Sequence, residues 1–92
     1  MKPIQLSAHA REQMVLRGAT EEEIQQTIEI EQWAQAKRGK WKAKHRFVFG
    51  KLSPVNQKEY QFKEVEPIFV DEIDAIVVVT VMVYYSNEEV TP

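Results

Sequence analysis

The chain of 92 residues contains no cysteine, which excludes a disulfide framework, a thiolate metal site and a cysteine nucleophile. Glycine is scarce, with three residues, and none of them forms a Gly-rich phosphate loop or a nucleophile elbow. No paired-carboxylate spacing is present either. The two histidines, His9 and His45, have no matching acidic ligand motif, so neither a metal site nor a cofactor is expected. No apolar signal core follows Met1-Lys2-Pro3-Ile4. The long apolar run from Ile76 to Tyr85 falls far short of the roughly 20 residues a membrane helix needs. The expectation is a cytoplasmic protein with no membrane partner. Internal repeats, low-complexity tracts and linkers are also missing, so residues 1–92 are expected to form one domain.

What is present begins with capping chemistry. Ser7 suits an N-cap, and Gly18 suits the left-handed residue that closes a helix after Arg17, which predicts a helix over about residues 8–17. Thr20-Glu21-Glu22-Glu23 matches a capping box, with three carboxylates at the positive end of the dipole. A second helix is predicted over about 21–31. Ala10, Met14 and Arg17 fall on one side of the first helix, and the expectation is that Met14 with Val15 or Leu16 meets Ile24 and Ile28 of the second. The pair is predicted to be a helical hairpin.

Beyond this hairpin the period changes to that of strands. From Trp41 to Phe49, Trp41, Ala43, His45, Phe47 and Phe49 point one way, and Lys42, Lys44, Arg46 and Val48 the other. Gly39 marks a turn, and residues 32–36 either pair across it or extend the second helix. Gly50 to Gln57 is expected to be a turn or loop. The next strand is predicted over 59–71, where Tyr60 and Phe62 share one phase and Val65 and Phe69 the other. A β-bulge near Glu64 to Pro67 is the expected reconciliation. A last strand over 75–86 is apolar on both phases and is expected to be central. Its second apolar face argues for a homodimer, unless a strongly coiled sheet wraps that face itself. Residues 87–92 are expected to form a frayed tail.

Charge is uneven along the chain. Residues 1–46 carry nine Lys and Arg against six Glu, and residues 47–92 three Lys against eight Asp and Glu, for a net charge of −2. Between Lys37 and Arg46 lie six cations, His45 and no acid. Point charges at strand spacing beside Trp41 suit a phosphate backbone with a stacked base. They equally suit an edge strand whose lysines block pairing with another sheet.

The stretches Ile4-x-Leu6-Ser7-x-His9-Ala10-x-Glu12-x-Met14-x-x-Arg17-Gly18-Ala19-Thr20-x-x-Glu23-Ile24, Tyr60-x-x-Lys63-x-Val65 and Ile76-Val77-Val78-Val79-Thr80-Val81 resemble a small domain-of-unknown-function family allied to the RelE/ParE/BrnT-like toxins. The resemblance implies an α+β fold, with the N-terminal helical hairpin packed on a curved antiparallel sheet of three to four strands. For some relatives it implies mRNA cleavage restrained by a cognate antitoxin protein.

A metal-independent endoribonuclease activates a ribose 2′-OH, stabilises a phosphorane and protonates the leaving oxygen. The candidates for these roles are His45, His9, Arg17 and Tyr84, with Tyr60 or Tyr85 closing the site. Lys37, Arg38, Lys42, Lys44, Arg46 and Lys63 are the candidate RNA and phosphate contacts. Each has a structural alternative. His45 shares its phase with Trp41 and Phe47, as a core histidine would; His9 can hydrogen-bond the sheet; Arg17 can pair with Glu21, Glu22 or Glu23. The sequence thus predicts an RNA-binding domain or RNase, with a non-catalytic homodimeric interaction module as the alternative.

Overall fold

The computed structural model describes residues 1–88. Two helices lie on one face of a mixed six-stranded sheet. In chain order the elements are β1 (Ile4–Leu6), α1 (Ala8–Arg17), α2 (Glu21–Ile30), β2 (Ala34–Gln35), a 3₁₀ turn (Lys37–Gly39), β3 (Trp41–Lys42), β4 (His45–Leu52), β5 (Glu59–Asp71) and β6 (Ile76–Ser86). The α+β class and the order of helices before sheet agree with expectation. The sheet is larger than expected, and it is mixed because β1 pairs in parallel with β6, Ile4 opposite Ile76 and Leu6 opposite Val78.

The caps form as their residue types dictate. The Ser7 hydroxyl accepts from the Ala10 N–H, and the Thr20 hydroxyl accepts from Glu23 N–H while the Glu23 carboxylate accepts from Thr20 N–H. Gly18 closes α1 at φ 83°, and a Cβ there would meet the Tyr85 hydroxyl at 2.5 Å and Pro54 Cγ at 2.8 Å. Glycine at this position therefore serves both backbone conformation and close packing.

The helices pack chiefly on the sheet, α1 on β6 and β1, α2 on β5. Met14 packs on the core beside Ala10, Ile24 and Ile28. Val15 and Leu16, expected to meet the second helix, are each 71% exposed instead, because the sheet supplies the cover that a partner helix was expected to give. Arg17 does not pair with the acidic turn that follows it. Its guanidinium donates to the Val81 carbonyl at 2.7 Å, while Gln13 accepts from Val81 N–H at 2.9 Å. One turn of α1 thus caps both backbone groups of a residue on the open edge of β6.

The long strand β5 organises the sheet, pairing with β6 on one side and with β3 and β4 on the other. The strand expected over 41–49 is present but interrupted, and it runs on to Leu52, three residues into the expected Gly50 to Gln57 loop, because Lys51 and Leu52 pair with Tyr60 and Glu59. Its register on β5 is unbroken across the interruption, Trp41 opposite Phe69, Lys42 opposite Ile68 and His45 opposite Val65. At the gap, Ala43 N–H reaches the Pro67 carbonyl at 3.4 Å, and Pro67 has no N–H to return. The ladder fails where the donor is missing.

The bulge expected near Glu64 to Pro67 is absent. Lys63, Val65, Pro67 and Phe69 alternate without a break on the helix side of β5. The apparent change of phase arises because a lysine occupies a core position. The register shifts lie on β6 opposite Ile68/Phe69, where Val79 is the extra residue, and on β4 between Val48 and Lys51. The first also explains why β6 is apolar on both phases: the inward set is Ile76 and Val78 before Val79, then Val81 and Val83 after it. β6 is flanked by β5 along its length but by β1 only at Ile76–Val78, so it is a central strand only at its start. Of the expected tail, Asn87 accepts from Gln61 N–H and Glu88 N–H donates to Gln61; residues 89–92 lie outside the described residues. No helix among the described residues is long and apolar enough to cross a membrane.

Candidate polyanion-binding face

Strand register sorts the side chains between the two faces. Toward the helices, neighbouring strands align Trp41, Phe69 and Val78, then His45, Val65 and Val83, then Phe47, Lys63 and Tyr85. On the outer face they align Lys42, Ile68 and Thr80, then Arg46, Glu64 and Tyr84, with Glu66 beside Met82 between these rows. The basic outer stripe expected from alternation is therefore present, and Lys42, Lys44 and Arg46 share it. Next to it runs an acidic stripe from β5, Glu64 and Glu66, two of the acids that the sequence places on the neighbouring hairpin.

The two stripes partly neutralise each other. Lys44 lies 4.0 Å from a Glu64 oxygen and 5.7 Å from the Tyr84 ring centroid, and the Arg46 guanidinium stacks 3.7 Å above Phe62. The Tyr84 hydroxyl donates to Glu66 at 3.4 Å. Burial first, and then the Glu66 carboxylate, hold its pKa above the ordinary tyrosine value of 10.0. Tyr84 is accordingly a neutral hydroxyl that donates a hydrogen bond to Glu66, and a weaker acid than an ordinary tyrosine.

At the β2–β3 end the balance changes. The Lys37–Gly39 turn curls beside the outer face and is closed by Ala36 N–H donating to the Lys40 carbonyl at 2.8 Å. Arg38 adopts φ 60°, ψ 41° and Gly39 φ 72°. A left-handed arginine costs about 1–2 kcal/mol. The conformation sets Lys37, Arg38 and Lys40 with Lys42 around an open concavity of about 670 Å³, with Ile68, Thr80 and Glu66 also lining it. This size is within the roughly 300–1,000 Å³ typical of small-ligand sites. Among the described residues none of these four cations forms an ion pair.

The remaining candidates lie elsewhere. Lys63, expected to contact phosphate, is 5% exposed; it donates to Glu23 at 2.8 Å and to the Gly18 carbonyl at 2.9 Å. It is committed to fastening the α1–α2 junction to the sheet. His45 lies on the helix side, its Nδ1 3.6 Å from Glu31 and its ring edge-on to Phe47 at 4.6 Å. His9 is exposed on the first turn of α1, and Arg17 is held at the open edge of β6, where its guanidinium also reaches Met82 Sδ at 3.2 Å and its charge acts on Tyr84. Tyr85 donates to the Arg17 carbonyl at 2.5 Å and packs against Phe49 and Tyr60. Of the four candidate catalytic residues Tyr84 lies on the face of the basic stripe, Arg17 reaches the rim of that face at Met82, and His9 and His45 lie away from it. Trp41, expected as a stacking base partner, faces the core with Trp33 and Phe69; the aromatics on the basic face are Phe62 and Tyr84. Among the described residues no three His, Asp or Glu side chains converge as metal ligands.

Ile68 and Thr80 carry no site signal in the sequence, and Glu66 reads there, with Glu64, Asp71, Glu72 and Asp74, as an acid of a hairpin that repels phosphate, whereas it lines the basic concavity. All three belong to strands remote in the chain from Lys37–Lys42, and only the β3–β5–β6 register brings them together. In comparisons with models of known protein families, with curated proteins and with solved structures, the chain matches none.

Proposed function

We propose that this protein binds single-stranded RNA on the outer face of its sheet, with phosphates held by Lys37, Arg38, Lys40 and Lys42. The observation that carries this reading is the ring of four cations, free of carboxylate partners among the described residues, around one concavity. A net charge of −2 rules out attraction by overall charge, so binding relies on this local field. The RelE/ParE/BrnT-like resemblance supports RNA as the polyanion and adds an antitoxin as a protein partner. It lends less to cleavage, because His9 and His45 do not share the face with Tyr84, and Arg17, which reaches Met82 Sδ at 3.2 Å beside that face, is already engaged by the Val81 carbonyl. The reading is binding, without an assigned catalytic step.

The test is fluorescence anisotropy of a labelled single-stranded RNA over a salt series, with wild type and a Lys37/Lys40/Lys42 triple alanine variant. With about four phosphates engaged, wild-type affinity should fall roughly 30–50-fold between 50 and 200 mM salt, and the variant should lose most binding. Affinity that is absent, or equal in the two proteins, refutes the proposal. A homodimeric module is the second reading, favoured by the exposed Val15 and Leu16 on the outer side of α1.

A further inference from the structure

A face built only to hold phosphate has no use for a carboxylate, yet Glu66 lines the concavity beside Lys42. Among the described residues Glu66 forms no ion pair, and its side-chain hydrogen bond there is from the Tyr84 hydroxyl to Oε1. No donor among the described residues reaches Oε2. Near it, Ile68 supplies an apolar surface and Thr80 a hydroxyl, the ingredients for one planar base with polar edges.

We infer that Glu66 makes the concavity selective for guanine among RNA bases, which rests on the RNA-binding reading above. The chemistry follows from the donor pattern of each base. A carboxylate has two acceptor oxygens in one plane and no donor. Guanine presents two parallel N–H groups, at N1 and at the exocyclic N2, which match both oxygens at once. The Watson–Crick edge of adenine or cytosine offers an amino donor beside a ring-nitrogen acceptor, and that of uracil one imino donor between two carbonyl oxygens, so an acceptor faces the second carboxylate oxygen. Lys37, Arg38, Lys40 and Lys42 take the flanking phosphates while the base lies on Ile68. Bidentate pairing of this kind discriminates by about tenfold or more, and it strengthens in a partly desolvated site.

The experiment uses nonamers of uridine carrying one central guanosine, adenosine, cytidine or uridine, titrated against wild type and Glu66→Gln. Wild type should bind the guanosine nonamer about tenfold more tightly than the others. In E66Q, where an amide replaces one acceptor with a donor and the negative charge is gone, that gap should close to under twofold while affinity for the all-uridine nonamer rises. Thermal melts of both proteins check that the variant folds. Competition with GMP and AMP separates a free nucleotide from a base within a chain: displacement by GMP alone, at concentrations where AMP has no effect, supports the same pocket chemistry with a mononucleotide as occupant. Equal affinities in wild type, or a guanosine preference that survives in E66Q, overturn the role of Glu66 and leave salt-dependent RNA binding standing. No binding of any nonamer removes both.

Discussion

Lys63 shows how much one residue decides. Its position in β5 puts a cation among Val65, Pro67 and Phe69, where burial without a partner costs several kcal/mol. Glu23 removes that cost, and the same carboxylate completes the capping box of α2. One side chain therefore joins a helix start, the α1–α2 turn and the middle strand. Lys63→Ala should destabilise the protein by about 2–3 kcal/mol in urea unfolding, somewhat below a fully buried pair because Glu23 retains some water. Lys63→Met combined with Glu23→Gln should recover much of that loss, since neither replacement leaves a buried charge. A loss below about 0.5 kcal/mol for Lys63→Ala would show that the pair is not the fastening it is taken to be. In the sequence this lysine reads as a phosphate contact, and nothing local corrects that, because its partner Glu23 lies 40 positions away.

At the scale of elements, the local signals were legible and the long-range ones were not. Ser7, Gly18, Thr20 and Glu23 marked both helices to within a residue, because caps bond within three or four positions. The strand β1 was not expected, since Ile4-Gln5-Leu6 is too short to show a period and exists through its pairing with β6. The split between β3 and β4 likewise has its cause in another strand, at Pro67. Pro67→Val should restore the missing donor opposite Ala43 and fuse β3 with β4. Amide exchange followed by NMR should then show the new N–H at position 67 protected to the level of its β5 neighbours. Exchange as fast as in the Ser53–Lys58 turn would reject this account of the interruption.

For the whole molecule, a domain this small buries only about two-thirds of its unfolded surface, and part of its apolar surface stays outside. Val15 and Leu16 stand on α1 between the helix and solvent, with Arg11 and Glu12 adjoining them. A two-fold contact through this side would cover them, and it leaves the outer face of the sheet open to RNA. Sedimentation equilibrium at tens of micromolar should therefore detect dimer, and Leu16→Glu should return it to monomer with RNA affinity unchanged. A wild-type monomer at every concentration would end the dimer reading. The sheet itself explains its apolar β6 through the Val79 shift, so that strand alone does not demand a partner.

The chain by itself determined the two helices, their caps, the alternation that separates Trp41 and Phe47 from Lys42 and Arg46, and the concentration of cations in Lys37–Arg46. All of these are written in spacings shorter than a turn or a strand. Tertiary structure alone decided that Lys63 is buried, that Arg17 serves the edge of β6, and that His45 faces away from the basic stripe. It also decided that Glu66, Ile68 and Thr80 meet Lys42. These outcomes depend on which strands neighbour each other and in what register, and register is fixed by pairing between segments far apart in sequence.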